Sequence, residues 1–307
     1  MKHEETPPRL ALGIFISLFA YVFFVTASSL VASFNGSFPV VQILFVQNIV
    51  SLVFLTPFFF VKKFPGFKTK VWSIHLIRDC SGVFSYYLFF VAIKFLDLVN
   101  ATVLNYTAPF FVPFFWWMWM KEKVGRNVWW SIIVGFIGVG VILNPSREIF
   151  QLGFVLGIFA GLLSALAMCA VRILSVHKEP TRRTLFYYFS VGSLLSFPFA
   201  LIYWVPPSDT QWLKMILIGV ATASGQIFLT IAYRYGTASY LSPLGYSSVI
   251  YAGLVSYFLF DNPLVLRTLI GGILIILGGS ATYILKKKPR SVAETFEHPN
   301  PKEKPPL

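Results

Sequence analysis

Arg78 is the first side chain whose chemistry stands out, because it lies with Asp79 a few residues inside a long apolar stretch. A charge near the centre of a membrane helix costs roughly 2.5–3.5 kcal/mol on insertion scales, so such groups tend to face protein or water. A guanidinium there would bind the carboxylate of a charged solute at a cavity mouth. The alternative is an arginine that reaches the membrane surface along its aliphatic stem. His75, one turn earlier, is interpreted as interfacial in preference to a proton relay.

Amide and hydroxyl side chains in other apolar stretches complete a candidate substrate site. They can bind a polar solute, or they can hold two membrane helices together by hydrogen bonds, and the sequence leaves both roles open. The candidate substrate-binding residues are Gln47, Asn48, Arg78, Asn105, Tyr106, Gln226, Tyr246 and Ser247.

Prolines interrupt two of the same stretches. Pro109 and Pro113 follow Tyr106, and Pro243 precedes Tyr246. A proline inside a membrane helix frees backbone carbonyls and permits a kink. We interpret the three prolines as candidate gating kinks, with kinks that serve only packing as the alternative.

Composition indicates the elements that must position these groups. The chain is 56% hydrophobic and only 12% charged, against roughly 25% charged residues in a soluble domain. About 20 apolar residues form a helix that crosses a bilayer. The sequence therefore predicts an all-α membrane protein whose ten transmembrane helices cover 10–33, 39–61, 74–94, 98–120, 127–144, 151–173, 184–204, 211–233, 238–260 and 265–285.

The distribution of Lys and Arg predicts the orientation, because these residues accumulate in cytoplasmic loops. With the N-terminus inside and ten crossings, the outside keeps only Lys94, Arg147, Lys214 and Arg267. The sequence thus predicts a multi-pass membrane protein with both termini cytoplasmic. The excess of 25 Lys and Arg over 12 Asp and Glu needs no nucleic-acid partner.

The second half of the chain repeats the plan of the first. Aligning Ala92 with Ala232 without a gap places Tyr106 on Tyr246, and chemical type matches through both stretches. We interpret this as an internal duplication. Five spans per copy make the two copies inverted, so that they can rock around a shared central site.

The domain organisation follows from the duplication. We expect a cytoplasmic N-terminus at 1–9, a first five-helix repeat at 10–144, a second at 151–285 and a disordered cytoplasmic tail at 286–307. The tail is polar and rich in proline, which favours disorder.

Three motifs carry a resemblance to a known family. They are HLIRD (His75–Asp79), A-x-x-x-N-Y-T-A-P (Ala101–Pro109) and the charged turn Lys121–Lys123. With the repeat, they make the chain similar to the drug/metabolite transporter superfamily, EamA type. The resemblance implies ten helices in two inverted five-helix repeats, a central cavity and no ATP hydrolysis. One departure is Asp261–Asn262, which stands where the first repeat has Glu122.

Within that superfamily the chain also resembles bacterial S-adenosylmethionine transporters, through the H-x-x-R pattern that opens the third span and the aromatic content. This implies uptake of S-adenosylmethionine, with S-adenosylhomocysteine as a possible exchange partner. The alternative is an exporter of amino acids or other metabolites.

An enzyme is the remote alternative. His75 and Asp79 would be its base and carboxylate, but the arginine between them fits no such role. No nucleotide-binding, metal-binding or nucleophile motif occurs in the sequence. We therefore expect a transporter with no catalytic residues, no metal and no cofactor, and we set a non-transporting scaffold beside it as a further possibility.

Overall fold

The computed structural model describes residues 10–60, 66–120, 152–236 and 241–261, together with 130, 133, 134, 136–138, 140, 141, 266, 269–274, 277 and 278. Every regular element within these ranges is helical. The helices are α1 (Leu10–Ala32), α2 (Val40–Phe60), α3 (Trp72–Phe95), α4 (Leu98–Asn105), α5 (Ala108–Met120), α6 (Leu152–Val176), α7 (Thr181–Ile202), α8 (Asp209–Ala232) and α9 (Ser247–Leu259), and a 3₁₀ turn (Ser242–Tyr246) precedes α9.

The long helices have the length that a bilayer requires. α2 has 21 residues and α6 has 25, which at about 1.5 Å per residue gives roughly 30–37 Å, close to the thickness of the hydrocarbon core, about 30 Å. In lipid every backbone N–H and C=O group must be satisfied internally, and a helix does this. Apolar stretches of this length therefore fold as membrane-spanning helices.

Seven segments of the described residues are long and apolar enough to cross a membrane. They coincide with predicted spans one to four and six to eight, and α4 and α5 together form the fourth. The ninth predicted span is present as a shorter apolar helix, Leu244–Leu259. The fifth and tenth predicted spans lie mostly outside the described residues.

Helices of the first half pack in pairs with helices of the second. α1 lies along α8, α2 along α7 and α3 along α6. Glycines of α6 permit close approach to the fourth span: a Cβ atom added at Gly157 would lie 2.7 Å from Leu104 Cβ, and one at Gly161 would lie 2.9 Å from the Leu104 carbonyl oxygen. The two halves therefore share one interior.

The fourth span is broken at its centre. Tyr106 and Thr107 form a turn between α4 and α5, inside the span over 98–120 that the sequence predicts to be interrupted by Pro109 and Pro113. The stretch aligned with this break in the second half is the 3₁₀ turn before α9. The two breaks touch, since a Cβ atom added at Gly245 would lie 2.6 Å from Tyr106 Cδ1.

Hydrogen bonds between the ends of helices define the two ends of the bundle. At one end, Arg183 Nε donates to the Gly66 carbonyl oxygen at 2.9 Å, and Arg234 Nη2 donates to the Glu179 carbonyl oxygen at 3.0 Å. The helices α3 and α7 therefore begin where α6 and α8 end. We call this the basic end, and its cationic side chains are Lys68, Lys70, Arg172, Lys178, Arg182, Arg183 and Arg234.

At the opposite end, α2 begins beside the segment that follows α7. Gln42 and Val205 exchange two hydrogen bonds there, at 2.7 and 2.9 Å. α1 begins at the basic end, because Gly13 lies against Ala232 and Tyr235. Each long helix of the first half thus runs antiparallel to its partner in the second half.

Candidate functional site

A central cavity lies between the two halves. Its lining comes from α1, α3, α4, α6 and α8, with one side chain from α7. The cavity volume is about 80 Å³, which is room for a few water molecules. The lining residues are Tyr21, Phe24, Val25, Ser28, Arg78, Gly82, Ser85, Tyr86, Phe89, Thr102, Asn105, Tyr106, Ser164, Ala167, Met168, Val171, Tyr188, Gln226, Leu229 and Tyr233.

Arg78 is the charged group of this lining, and residues of both halves hold it. Its Nη2 donates to Gln226 Oε1 at 2.9 Å, and its guanidinium carbon lies 3.6 Å from the centroid of the Tyr188 ring. Nη1 lies 3.4 Å from Asp79 Oδ1. Only 2% of Arg78 is exposed, so the alternative in which it reaches the membrane surface is wrong. A buried guanidinium with a stacked ring and an amide partner is suited to bind an anion.

Unpaired polar atoms line another part of the cavity. Among the described residues, the hydroxyls of Tyr21 and Tyr233 and the Oδ1 atom of Asn105 are buried and have no hydrogen-bond partner. A buried polar atom left unpaired costs about 1–3 kcal/mol. A solute that supplied donors and acceptors here would recover that cost.

Four of the predicted site residues meet at this cavity: Arg78, Asn105, Tyr106 and Gln226 line it. The aromatic pair of Tyr106 is Tyr21, whose ring centroid lies 5.7 Å away in an edge-to-face arrangement. These residues come from three helices, so their meeting depends on the tertiary fold.

The other four lie elsewhere. Gln47 and Asn48 are buried on α2, and a Cβ atom added at Gly192 of α7 would lie 2.7 Å from Asn48 Nδ2. Tyr246 and Ser247 are outside the cavity lining. The structure therefore places Asn48 in the contact between α2 and α7.

The prolines lie at or near the two helix breaks. Pro109 is the second residue of α5, Pro113 is inside α5, and Pro243 is in the 3₁₀ turn. The helix is interrupted just before Pro109. This is expected, because proline has no backbone N–H donor and the residue before a proline avoids helical geometry. Their role in gating stays a prediction.

Sequence reasoning missed Glu179, which joins the two halves at the basic end. Its carboxylate accepts from Thr69 Oγ1 at 2.6 Å and from Arg183 Nη1 at 2.9 Å, and it lies 3.7 Å from His75 Nε2. His75 is interpreted from the sequence as interfacial, but the structure buries it fully within the protein. Because His75 is one turn from Arg78, this network lies between the cavity and the basic end.

Tyr21 and Tyr188 were also missed, whereas Tyr233 was among the polar residues of the eighth span that the sequence indicates for a cavity. Nothing in the spacing of a tyrosine within an apolar helix says which neighbour it will face. Glu179 left a weak signal, since it is the one carboxylate in a short segment between Arg172 and Arg183.

Within the described part of the chain, no group of three or more His, Cys, Asp or Glu side chains is placed to hold a metal ion. The cavity offers instead one guanidinium, amides, hydroxyls and aromatic rings. Groups of these types can bind an organic solute by hydrogen bonds, ion pairing and ring stacking.

Several membrane-spanning helices around a small cavity with polar groups in its lining are typical of the carriers that move solutes across a bilayer. The chain belongs to the EamA-like transporter family, whose model matches it twice in tandem, over residues 10–144 and 151–283. It is a multi-span membrane protein of the transporter class.

Curated relatives carry several substrates. The chain is 26% identical over 286 residues to the pseudopaline exporter CntI of Pseudomonas aeruginosa, covering 91% of this chain and 98% of that protein. It is 26% identical to a riboflavin transporter of Vibrio cholerae, over 80% and 83% of the two chains. It is 26% identical to the S-adenosylmethionine uptake transporter of Rickettsia felis, over 76% and 80%. At such sequence identities the relatives do not identify the substrate of this chain.

A chain of a solved crystal structure has the same fold. The superposition has a TM-score of 0.73 and covers 90% of this chain and 97% of that one, at 15% sequence identity. The likeness concerns the fold alone.

Proposed function

We propose that this protein is a secondary carrier that moves a small polar organic solute by alternating access, and that Arg78 binds an anionic group of the solute. The observation that carries the proposal is the position of Arg78. It is buried in a central cavity, between Gln226 of α8 and Tyr188 of α7. A buried charge with loose pairing is costly to maintain, which favours a role in binding.

The packing of the halves supports the mechanism. The repeat alignment equates α1 with α6, α2 with α7 and α3 with α8. The observed pairs are then reciprocal, since α1 packs on α8 and α3 packs on α6. Reciprocal contacts of this kind are those of a two-fold relation. Because equated helices run in opposite directions, the two copies at 10–144 and 151–285 are proposed to be inverted five-helix repeats.

The size of the cavity also supports alternating access. Small-molecule sites commonly occupy about 300–1,000 Å³, and the present volume of about 80 Å³ is well below that. Helices must therefore move apart to admit a metabolite. Rocking of one inverted copy against the other would open the cavity to each end in turn.

We place the basic end in the cytoplasm of a bacterial cell, with the chain in the inner membrane and both termini inside. Lys68, Arg182 and Arg183 are among the basic residues at that end. Basic loops are retained on the cytoplasmic side.

S-adenosylmethionine, taken up in exchange for S-adenosylhomocysteine, is the first substrate hypothesis. Its carboxylate fits Arg78. Aromatic rings such as Tyr21, Phe24 and Tyr86 can stack on a base or attract a sulfonium cation. Metabolite export is the second candidate, because the pseudopaline exporter aligns over a larger share of the chain than the S-adenosylmethionine transporter does.

Transport by the purified full chain in proteoliposomes tests the proposal. Labelled S-adenosylmethionine is supplied outside, with and without S-adenosylhomocysteine inside, and a second arm uses labelled pseudopaline. The variant Arg78→Gln removes the buried charge, and Lys70→Gln removes an exposed charge as the matched control. Hydrogen bonds to charged groups contribute about 1.5–3 kcal/mol, so we expect roughly a 10- to 100-fold loss of uptake efficiency in Arg78→Gln alone.

Two results would contradict the proposal. Movement of neither solute would remove both substrate hypotheses. Full uptake by Arg78→Gln would show that the guanidinium does not bind the solute, whichever solute is moved.

A further inference from the structure

We propose that Asp79 is a proton-binding residue that couples solute movement to protons by sharing Arg78 with the solute. This rests on the proposed function, because it assigns a coupling group to the same cavity. In each cycle one proton binds the Asp79 carboxylate when one anionic group binds Arg78, and both leave together on the other side.

Asp79 is buried and loosely paired. Only 1% of its surface is exposed. Its one polar contact among the described residues is Arg78 Nη1, at 3.4 Å. Charge-assisted hydrogen bonds between such groups are usually 2.7–2.9 Å long. The ion pair is therefore stretched, and it leaves most of the carboxylate without hydrogen bonds.

Arg78 stands between this carboxylate and the cavity. Arg78 lines the cavity, and Asp79 does not. The Nε atom of Arg78 is buried and has no hydrogen-bond partner within the ranges that the structure describes. An anion that entered the cavity could therefore accept a hydrogen bond from this available N–H donor of the guanidinium.

Electrostatics then link the two events. Two carboxylates beside one guanidinium leave a net negative charge in a membrane interior, which is expensive. A proton on Asp79 restores neutrality at that moment. When the solute leaves, Arg78 again compensates the ionised carboxylate, and the proton is released.

Few other ionisable groups lie near this point in the part of the chain that the structure describes. On α3 itself they are His75, one turn away, the adjacent Cys80, which is partly exposed, and Tyr86, which lines the same cavity. From α7 the group is Tyr188, and α8 contributes only the amide of Gln226. On the neighbouring α6, Arg172 is bound to the end of α8, where its Nη1 donates to the Tyr233 carbonyl oxygen at 2.7 Å. Cysteine and tyrosine are ordinarily neutral at pH 7, so Arg78 is the cation in contact with Asp79.

Infrared difference spectroscopy of the purified chain in nanodiscs tests the proton site without any transport. We expect a carbonyl band of a protonated carboxylic acid that appears as pH falls, is absent from Asp79→Asn and is retained in Asp209→Asn, which alters an exposed carboxylate. The band should be stronger in Arg78→Gln at the same pH, because the compensating charge is gone. A spectrum unchanged by Asp79→Asn, or a band unaffected by Arg78→Gln, would overturn the inference.

Transport tests the coupling. With S-adenosylmethionine as the probe, we expect a pH gradient directed from outside to inside to accelerate wild-type uptake severalfold and to leave Asp79→Asn unaffected. If the pH gradient changed the uptake rate of neither protein, the proposed proton coupling would be wrong, although the protein would still be a carrier. Infrared results as expected, with no uptake of the probe, would uphold the proton site and reject the substrate.

Discussion

The two ends of the bundle are held together by different chemistry. At the basic end, the carboxylate of Glu179 joins Thr69 of the first half to Arg183 of the second. At the opposite end, the amide of Gln42 exchanges two hydrogen bonds with the backbone of Val205. One closure is ionic and the other is neutral.

The difference has an energetic consequence. Glu179 and Arg183 are largely buried, with side-chain exposures of 7% and 11%. Removing one partner from a buried pair leaves an uncompensated charge. Val205 is 39% exposed, so water can replace its lost partner. We therefore expect the basic end to open less readily, and the resting carrier to open toward the opposite end.

The largest effect is expected from Glu179→Gln, which removes the charge that holds the basic end. Hydrogen bonds to charged groups contribute about 1.5–3 kcal/mol, so the population open at the basic end should rise roughly 10- to 100-fold. The measurement is the labelling rate of a cysteine at Ser164, a cavity residue, in a background without Cys80 and Cys169. A membrane-impermeant maleimide is added from the basic end.

Asp209→Asn is the control for this experiment, because it removes an exposed carboxylate at the opposite end. It should leave the labelling rate unchanged. An unchanged rate in Glu179→Gln would mean that the ionic network does not close the basic end.

The positions of the spans could be predicted from the sequence, because a run of about 20 apolar residues is a local property. Seven predicted spans coincide with helices. The prolines predicted a kink in the fourth span, but the turn at Tyr106 and Thr107, just before Pro109, was not predicted. An interruption in a membrane helix is tolerated only where neighbouring protein satisfies the freed backbone groups. Those neighbours become known only with the fold.

The residues of the candidate site could likewise be predicted only in part. Arg78 and Asn105 could be selected from the sequence, because polar groups are costly in an apolar helix. Asn48 meets the same criterion, yet it packs against Gly192. The residue type alone does not distinguish a side chain that lines the cavity from one that lies in a contact between two helices. Glu179 was missed because its partner Thr69 is far away in sequence.

A smaller effect is expected from Gln42→Met, which keeps the side-chain length and removes both neutral hydrogen bonds to Val205. Each contributes about 0.5–1.5 kcal/mol, and water compensates part of the loss. Labelling of the same cavity cysteine should therefore rise roughly three- to tenfold from the opposite end and not from the basic end. If the labelling rate rose more in Gln42→Met than in Glu179→Gln, the opposite end and not the basic end would be the more strongly closed one.

The smallest effect is expected from Lys94→Met. This variant tests whether a cation at one end of the bundle keeps the cavity closed through its charge alone or only through contacts that join the two halves. Lys94 Nζ donates to the carbonyl oxygens of Gly36 and Phe38 at 3.2 and 2.8 Å. All three residues belong to the first half, and Lys94 is exposed. Its loss removes no contact between the halves.

Cavity labelling in Lys94→Met should accordingly stay within about twofold of the parent from both ends, since exposed interactions of this kind contribute little. The Asn35–Ser37 loop alone should exchange its amide hydrogens faster. If Lys94→Met opened the cavity as much as Gln42→Met, bridging between the halves would not be what closes an end. Equal cavity labelling with a faster loop would show that closure depends on the residues that join one half to the other.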